Sequence, residues 1–339
     1  MRQQHFEQAH EALWAEYRLL LQRLERGANG RARRWPGRGR LPPEVHVERL
    51  PRLLRTVSGH YALARSRGYS PGLVEDLHQL VRRGYRQLYR PRPRWPTLVR
   101  RFALTGFPRA LRRHAGAFWL ACALFFGPML AMGLACAQDP ALIYSLIETS
   151  QVAELEAMYD PTNGRLGRQA DDDVAAFGFY VMNNIGIAFR TFASGLLFGA
   201  GSLFFLGFNG LFIGAAAGHL TRLGMGEPFW SFVSSHAPFE LTAIAVSGAA
   251  GLLLAKALLA PGPYPRPMAL RLQAIEAVPL IAGAMLLLLL AAVIEAFWSA
   301  STAIPPPAKY LAGTCGWLLV AAYLLLAGRG AATEPGDEP

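Results

Sequence analysis

An uncharged apolar run of 22 residues, 115–136, restricts the fold of this chain more than any other feature. About 20 such residues are what an α-helix needs to cross the hydrocarbon core of a bilayer. Further long apolar stretches occupy 177–220, 234–259, 274–298 and 311–327. Because a chain in lipid must satisfy its backbone hydrogen bonds internally, these segments predict an all-α, polytopic helical membrane protein.

Charge is strongly segregated along the chain. Residues 1–114 hold 25 arginines, no lysine and 8 acidic residues, whereas the rest of the chain carries a small acidic excess. A basic surface beside a membrane is typical of contact with anionic headgroups. Nucleic-acid binding is the competing interpretation, but the sequence has no aromatic-glycine RNA motif and no zinc spacing, so no nucleic-acid partner is predicted.

The basic region itself has helical periodicity. Apolar residues recur at helical spacing in 6–24 and 44–65, with a Gly/Arg-rich break at 27–39 that we interpret as a loop. A third helix is expected to open with Ser70 as N-cap and Pro71 as the first helical residue. Three amphipathic helices predict a basic helical cytoplasmic bundle over residues 1–96.

Residues 97–114 mix apolar side chains with five arginines. This pattern predicts an amphipathic helix that lies in the headgroup plane, and a fourth helix of the bundle is the alternative. The transmembrane domain is predicted to cover 115–328, followed by a polar tail, 329–339. These arginines also place the N-terminal side of the first span in the cytoplasm.

The number of spans depends on residues 177–220, which are long enough for two crossings. Lys256, Arg266, Arg271 and Arg329 mark a proline-rich loop and the C-terminus as cytoplasmic. Both assignments hold if 177–220 crosses twice, which gives six spans with both termini inside. Five spans, with one crossing and a partly inserted helix, is the alternative.

Few residues in these spans have the chemistry of a site. His236 and Glu240 lie four apart and share a helical face if the helix continues past Pro238. Two ligands are too few for zinc, so no metal site is predicted. We expect the pair to be structural and to tie the start of its span to helices that carry buried amides. The candidate amide-bearing positions are Asn183, Asn184 and the Asn209-Gly210 pair.

No catalytic residue or cofactor is predicted. Ser194 and Ser247 lie beside glycines without a GxSxG context, although His236 or His219 is the base that a serine hydrolase would need. The sequence contains no phosphate-binding loop or nucleotide fingerprint. Three cysteines without CxxC spacing, Cys122, Cys136 and Cys315, are interpreted as buried apolar residues.

From residue 183 to 269 the sequence resembles the stage II sporulation protein M family. The matching residues are Asn183-Asn184, Gly195, Gly199, Asn209-Gly210, Gly214, His236 with Glu240, Ser247-Gly248, Gly251, Pro261-Gly262, Arg266 and Ala269-Leu270. The family usually has His-Gly before the glutamate, whereas Ala237-Pro238 stand here. The resemblance implies a non-enzymatic membrane protein; in spore formers such proteins anchor a peptidoglycan-degrading complex during engulfment.

Three functions follow from these patterns. The first is a scaffold that anchors or localises membrane or envelope proteins, with the lipid bilayer and anionic headgroups as further partners. The second is a transporter or channel subunit, because Asn- and Gly-broken helices line polar paths in such proteins. An intramembrane hydrolase is a distant third.

Overall fold

The computed structural model describes residues 3–28, 49–89, 95–161 and 172–329. These ranges are largely helical and contain no strand, which confirms the all-α fold class. Contacts within the chain divide it into two compact units, the first ending at Trp95 and the second beginning at Pro96.

The first unit contains α1 (Gln3–Ala28), α2 (Leu50–Ser66) and α3 (Pro71–Leu88). Their apolar faces share one core. Its buried side chains include Phe6, Trp14, Tyr17, Leu21, Leu54, Val57, Leu77 and Leu80. Residues 29–48 lie outside the described residues, and with them most of the predicted 27–39 loop and the start of the predicted 44–65 helix.

Gly84 lets α3 approach α1 closely. A Cβ at this position would stand 1.7 Å from Tyr17 Oη and 2.9 Å from Leu54 Cδ1. The Tyr17 hydroxyl is buried there and has no hydrogen-bond partner among the described residues. Burial raises the pKa of Tyr17 to about 12, an effect that the nearby Arg83 guanidinium partly opposes.

The start of α3 was predicted at the correct residue, but the Ser70 side chain does not make the predicted capping hydrogen bond. Ser70 occupies the N-cap and Pro71 begins the helix, but the Ser70 hydroxyl does not cap it. Instead, Gln3 Nε2 donates to Ser70 Oγ at 2.8 Å, and the Ser70 backbone N–H donates to Gln3 Oε1 at 3.0 Å. The side chain therefore joins the first turns of α1 and α3.

The second unit contains the apolar helices. It begins with α4 (Trp95–Arg101), of which all but Trp95 belongs to this unit, and continues with a π-helical turn (Phe102–Gly106), α5 (Phe107–Arg113), α6 (Ala115–Gln138), a 3-10 turn (Pro140–Ser145) and α7 (Thr149–Met158). It continues with α8 (Asp173–Ala193), a 3-10 turn (Ser194–Leu196), α9 (Ala200–Arg222) and α10 (Gly226–Val233). The last helices are α11 (Ala237–Leu259), α12 (Arg266–Ile294) with a π-helical turn (Glu295–Ser299), and α13 (Pro306–Leu326).

Five helices of the described chain are long and apolar enough to cross a membrane: α6, α9, α11, α12 with its π-helical turn, and α13. The predicted stretch 177–220 is divided between α8 and α9, and α8 is the sixth candidate. At 21 residues, α8 measures about 31 Å, which matches the thickness of a bilayer core. Pro306 begins α13, so this helix starts five residues before the apolar stretch predicted at 311–327.

The relative direction of α6 and α9 shows that α8 crosses the bundle between them. Along α9, Gly210, Gly214 and Gly218 approach successive carbonyls of α6, those of Phe125, Met129 and Gly133, in the same order. Neighbouring α6 and α9 are therefore parallel, and the chain must return across the bundle between them. The helix that makes this return is α8, so six helices of the described ranges traverse the bundle: α6, α8, α9, α11, α12 and α13. That α8 crosses a membrane stays a prediction.

The α6–α9 contact depends on glycine. A Cβ at Gly210, Gly214 or Gly218 would stand 2.2 Å from the facing α6 carbonyl oxygen. Spacing of four residues puts all three glycines on one face of α9, as in the small-residue interfaces of membrane helices. The two backbones thus touch along two helical turns.

The segment predicted to be interfacial, 97–114, comprises most of α4, the π-helical turn and α5. Phe107 and Leu111 of α5 are buried in the core of the second unit, and a Cβ at Gly283 of α12 would stand 2.0 Å from the Phe107 ring. Arg112 donates to the carbonyls of Leu324 and Ala327 at the end of α13. α5 is thus part of the bundle formed by the apolar helices of the second unit. That α4 lies in the headgroup plane stays a prediction.

Candidate functional site

A buried polar cluster forms where α11 begins. α11 starts at Ala237 with Pro238 in its first turn, so His236 is the N-cap residue and Glu240 lies one turn later. The helix is regular past the proline, which puts both side chains on one face. His236 Nε2 and Glu240 Oε2 are 3.7 Å apart.

Glu295 is the third member of the cluster. It begins the π-helical turn that continues α12, and its side chain is buried. One ligand atom from each of His236, Glu240 and Glu295 lies within 4.8 Å of the others. Glu295 lies near the end of the apolar stretch 274–298, and nothing in its sequence spacing indicates that it faces His236.

Hydrogen bonds hold the His236 ring in place. Its Nδ1 lies 3.0 Å from the hydroxyl of Ser299, four residues after Glu295 in the same π-helical turn. Lys309 Nζ donates to the Ser299 carbonyl at 2.8 Å, and Ser235 Oγ donates to the Lys309 carbonyl at 3.2 Å. Lys309 is only 1% exposed, so an ammonium group is buried next to this cluster.

Lys309 was also missed by the sequence analysis. The sequence offers only a weak signal, a single lysine between three prolines and an apolar span. A cation at such a position usually lies at the membrane surface, so burial of Lys309 was not expected. Here the first turn of α13 carries it inward, because the helix begins at Pro306 and not after residue 310.

Of the predicted amides, Asn184 reaches the cluster. Its side chain is buried and lies near Glu295. Among the described residues, neither Asn184 Nδ2 nor Glu295 Oε2 has a hydrogen-bond partner. Asn183 is exposed and donates to Asn184 Oδ1 at 2.9 Å, so it orients Asn184 from outside.

The Asn209-Gly210 pair lies elsewhere. Asn209 Nδ2 donates to the Phe205 carbonyl of its own helix at 2.6 Å, and Gly210 faces the Phe125 carbonyl of α6. Gly210 therefore belongs to the α6–α9 interface, and the Asn209 amide bonds within α9. The structure therefore joins His236, Glu240 and Asn184 and leaves Asn209 and Gly210 apart from them.

A layer of aromatic side chains covers the cluster. Tyr159, which follows α7, packs with Phe229 and Phe232 of α10 and with Tyr180 of α8. Burial raises the pKa of the Tyr159 phenol, and the neighbouring Glu295 carboxylate raises it further. The cluster is thus enclosed at the end of the bundle that carries α7 and α10.

The predicted serine candidates have ordinary helical contacts. Ser247 Oγ donates to the Ala243 carbonyl at 2.9 Å, and Ser194 Oγ donates to the Thr191 carbonyl at 3.3 Å. His219 pairs instead with Glu156 of α7, with Nε2 and Oε1 2.7 Å apart. Nothing in these contacts resembles a serine activated by a histidine.

Comparison with known families gives one match over the apolar region. Residues 122–300 match the family described as stage II sporulation protein M, which is just over half of the chain. The chain belongs to the stage II sporulation protein M family. It is therefore a multi-pass membrane protein of this family, as the resemblance predicted.

The sporulation protein M match contains most of the cluster. It begins within α6 and ends just after the π-helical turn, so it includes Asn184, His236, Glu240 and Glu295, whereas Lys309 lies beyond it. Residues 4–90 match a second family, described as a domain of unknown function, DUF8413. No curated protein and no solved structure matches the chain.

Proposed function

We propose that this sporulation protein M relative is a non-enzymatic scaffold of the bacterial cytoplasmic membrane that anchors or localises partner proteins at the envelope. The observation that carries the proposal is the first unit, a compact helical bundle with its own core, in the same chain as a polytopic membrane unit. A module of this kind next to membrane helices supplies a docking surface for a partner protein.

Charge indicates the chemistry of that surface. The exposed side chains of α1, α2 and α3 include Arg18, Arg52, Arg55, Arg65, Arg82 and Arg86, and Arg67 is exposed just after α2. A positive field of this kind accelerates association with acidic partners and is screened by salt. The proposed partner therefore presents an acidic face to the bundle.

Photo-crosslinking in cells tests the scaffold. A crosslinking amino acid at Arg52 or Arg82 should trap a defined protein, and replacing neighbouring exposed arginines with glutamine should reduce the yield. A matched probe at Gly178, near the start of α8, serves as control. Crosslinks to lipid alone from the Arg52 and Arg82 positions would contradict a protein-binding role for this unit.

Anionic headgroups are the second proposed partner, through α4 and the π-helical turn. Leu98 and Leu104 are 43% and 55% exposed, and Arg100 is exposed on the same segment. In nanodiscs, spin labels at Leu98 and Leu104 should show more oxygen than nickel-chelate accessibility, which places them in lipid. Water-like accessibility at both positions would exclude the headgroup placement.

A transporter or channel subunit is the second candidate. It is favoured by the buried His236, Glu295 and Lys309 side chains and the partly buried Glu240 at the ends of apolar helices, since charged groups within a membrane bundle commonly mark ion or proton paths. A transport function requires ionisable groups for turnover. Reconstituted protein with Glu240→Gln would then keep its abundance and lose flux.

A further inference from the structure

We propose that His236, Glu240 and Glu295 bind one divalent first-row transition cation, zinc being the best match, at the end of the membrane bundle. This goes beyond the scaffold role and does not depend on it. The cation would join the start of α11 to the π-helical turn after α12.

The geometry is close to that of a zinc site. Two ligands of a tetrahedral zinc ion, each about 2.0–2.2 Å from the metal, are about 3.4 Å apart. His236 Nε2 and Glu240 Oε2 are 3.7 Å apart, and all three ligand atoms fit within 4.8 Å of one another. Movements of about an ångström by two glutamate side chains would complete the contact.

Charge balance favours a divalent ion. Two carboxylates this close cannot both be ionised in a buried site without a compensating cation, because like charges disfavour one another's ionisation. A neutral imidazole and two carboxylates offer two negative charges, which one divalent cation neutralises, while the nearby Lys309 ammonium donates to the Ser299 carbonyl. A nitrogen ligand among the oxygens selects zinc-like ions over magnesium or calcium.

The hydrogen bonds around His236 leave the correct nitrogen for the metal. Its Nδ1 is occupied by the Ser299 hydroxyl, and its Nε2 faces Glu240. Metal-binding histidines usually have their second nitrogen fixed by such a partner. Ser299 is in turn fixed by Lys309, which bonds the Ser299 carbonyl.

An unsatisfied oxygen points to the same place. Glu295 is 8% exposed and its carboxylate lies near the Asn184 amide, but among the described residues Oε2 has no donor in hydrogen-bonding geometry. A buried carboxylate oxygen without a partner costs free energy that a metal–oxygen bond would recover. The π-helical turn that presents Glu295 and Ser299 is a feature often found at functional sites.

Zinc titration of the full chain tests the proposal. The protein, purified with a tag that contains no histidine and stripped with a chelator, is titrated with Zn²⁺ against a fluorescent chelator. We expect one zinc ion per chain from the cluster. Glu295→Gln, Glu240→Gln and His236→Gln should abolish that stoichiometric binding, and Ser299→Ala should weaken it by roughly 10–100-fold, the usual effect of losing a partner of a metal ligand.

Two controls separate this site from other histidines and acids. The first control is Glu276→Gln, a change in α12, the helix that Glu295 follows; Glu276 Oε2 lies 3.0 Å from His114 Nε2. The second control is His10→Ala, which removes a histidine of the first unit. Both should keep the zinc stoichiometry. Zinc should also raise the unfolding temperature of the natural protein and of both controls, and not that of Glu295→Gln.

Two results would overturn the proposal. One is a natural protein that binds zinc no better than His236→Gln, which means that the carboxyls share protons or pair with Lys309. The other is unchanged binding in Glu295→Gln. If Glu295→Gln does not fold, Ser299→Ala carries the test, because it removes only a hydroxyl, and full affinity in that variant contradicts the assigned coordination.

Discussion

At the scale of single residues, this protein places ionisable groups where a chain in lipid usually has none. Glu240, Glu295 and Lys309 lie in apolar helices, and each is near a polar neighbour on another element or turn. A charged residue costs about 2.5–3.5 kcal/mol at the centre of a span on insertion scales, whereas these three residues lie near the ends of their helices. Their partial or full burial within the bundle indicates that they stabilise or operate it.

Glu240 separates a structural from an operating role. Glu240→Gln keeps size and hydrogen bonding, so we expect folded protein in detergent at normal yield. Glu240→Leu leaves His236 without its neighbour, and losing such a buried partner costs about 1–3 kcal/mol, so its yield should fall. The measurement is the monodisperse fraction in size exclusion. Equal loss in both variants would show that the carboxylate itself is needed for folding.

His60 gives the first unit a dependence on pH. Trp14 Nε1 donates to His60 Nδ1 at 3.1 Å, so the ring must be neutral there. Burial lowers the pKa of His60, and the stacked His10 lowers it further. Because the unfolded chain binds this proton more readily, stability is complete above about pH 6.5, the ordinary histidine pKa, and falls as pH decreases below it.

The expected change is a loss of about 1 kcal/mol, the usual value of one hydrogen bond, between about pH 7.5 and about pH 5.5. Hydrogen exchange of α1, α2 and α3 in the full chain, corrected for intrinsic rates, measures it. His60→Gln retains an acceptor for Trp14 without titrating and should lose most of the dependence. The same slope in His60→Gln would assign the effect to other groups.

At the scale of elements, close backbone contact explains the arrangement of the bundle. α6 and α9 pack in parallel because three glycines of α9 admit the carbonyls of α6. The turn between α8 and α9 allows the reversal that this requires, with Phe198 and Gly199 both at positive φ, 53° and 86°. A bulky residue in that conformation is rare, which marks the turn as held by its surroundings.

Gly214→Ala should destabilise the membrane unit. Its new Cβ would stand 2.2 Å from the Met129 carbonyl oxygen, so the two helices must separate. Overpacking of this kind costs about 1–3 kcal/mol. Gly207→Ala is the matched control, because Gly207 is on the same helix and a Cβ there meets nothing within 4 Å. Unfolding in mixed detergent measures both, and equal stability of the two variants would contradict this view of the interface.

The helices were predictable and their contacts were not. Hydropathy located α6 within two residues, 115–136 against Ala115–Gln138, because lipid imposes both length and composition. The partner of His236 was not predictable, since a π-helical turn shifts Glu295 and Ser299 away from regular helical spacing. Asn209 shows the same limit, because a buried amide can bond its own helix as readily as another.

At the scale of the whole molecule, the chain joins two modules that independent comparisons also separate. The sporulation protein M match starts at residue 122, and the match to the domain of unknown function ends at residue 90. The first compact unit ends at Trp95, close to the second of these limits. Arginine is concentrated before the first span, which is the distribution that fixes orientation during insertion.

Both termini are predicted to be cytoplasmic. Six traversing helices return the chain to its starting side, and Lys256, Arg266 and Arg329 lie at the ends that this arrangement puts inside. Reporter fusions at Gly262 and at the C-terminus should give the cytoplasmic signal, with a fusion at Asp139, after α6, as the external control. An external signal at Gly262 and the C-terminus would restore the five-span alternative.

The glycine contacts between α6 and α9 also limit how this protein can move. The three carbonyl oxygens of α6 each contact a glycine of α9, and successive contacts are one helical turn apart. If α9 shifted along α6 by less than a turn, the carbonyl oxygens of α6 would collide with the larger residues between the glycines. The two helices can therefore pack stably only at relative positions about one turn, 5.4 Å, apart. In a conformational change that involves shifts of less than one turn, α6 and α9 move together as one rigid body, and the other helices move relative to this pair.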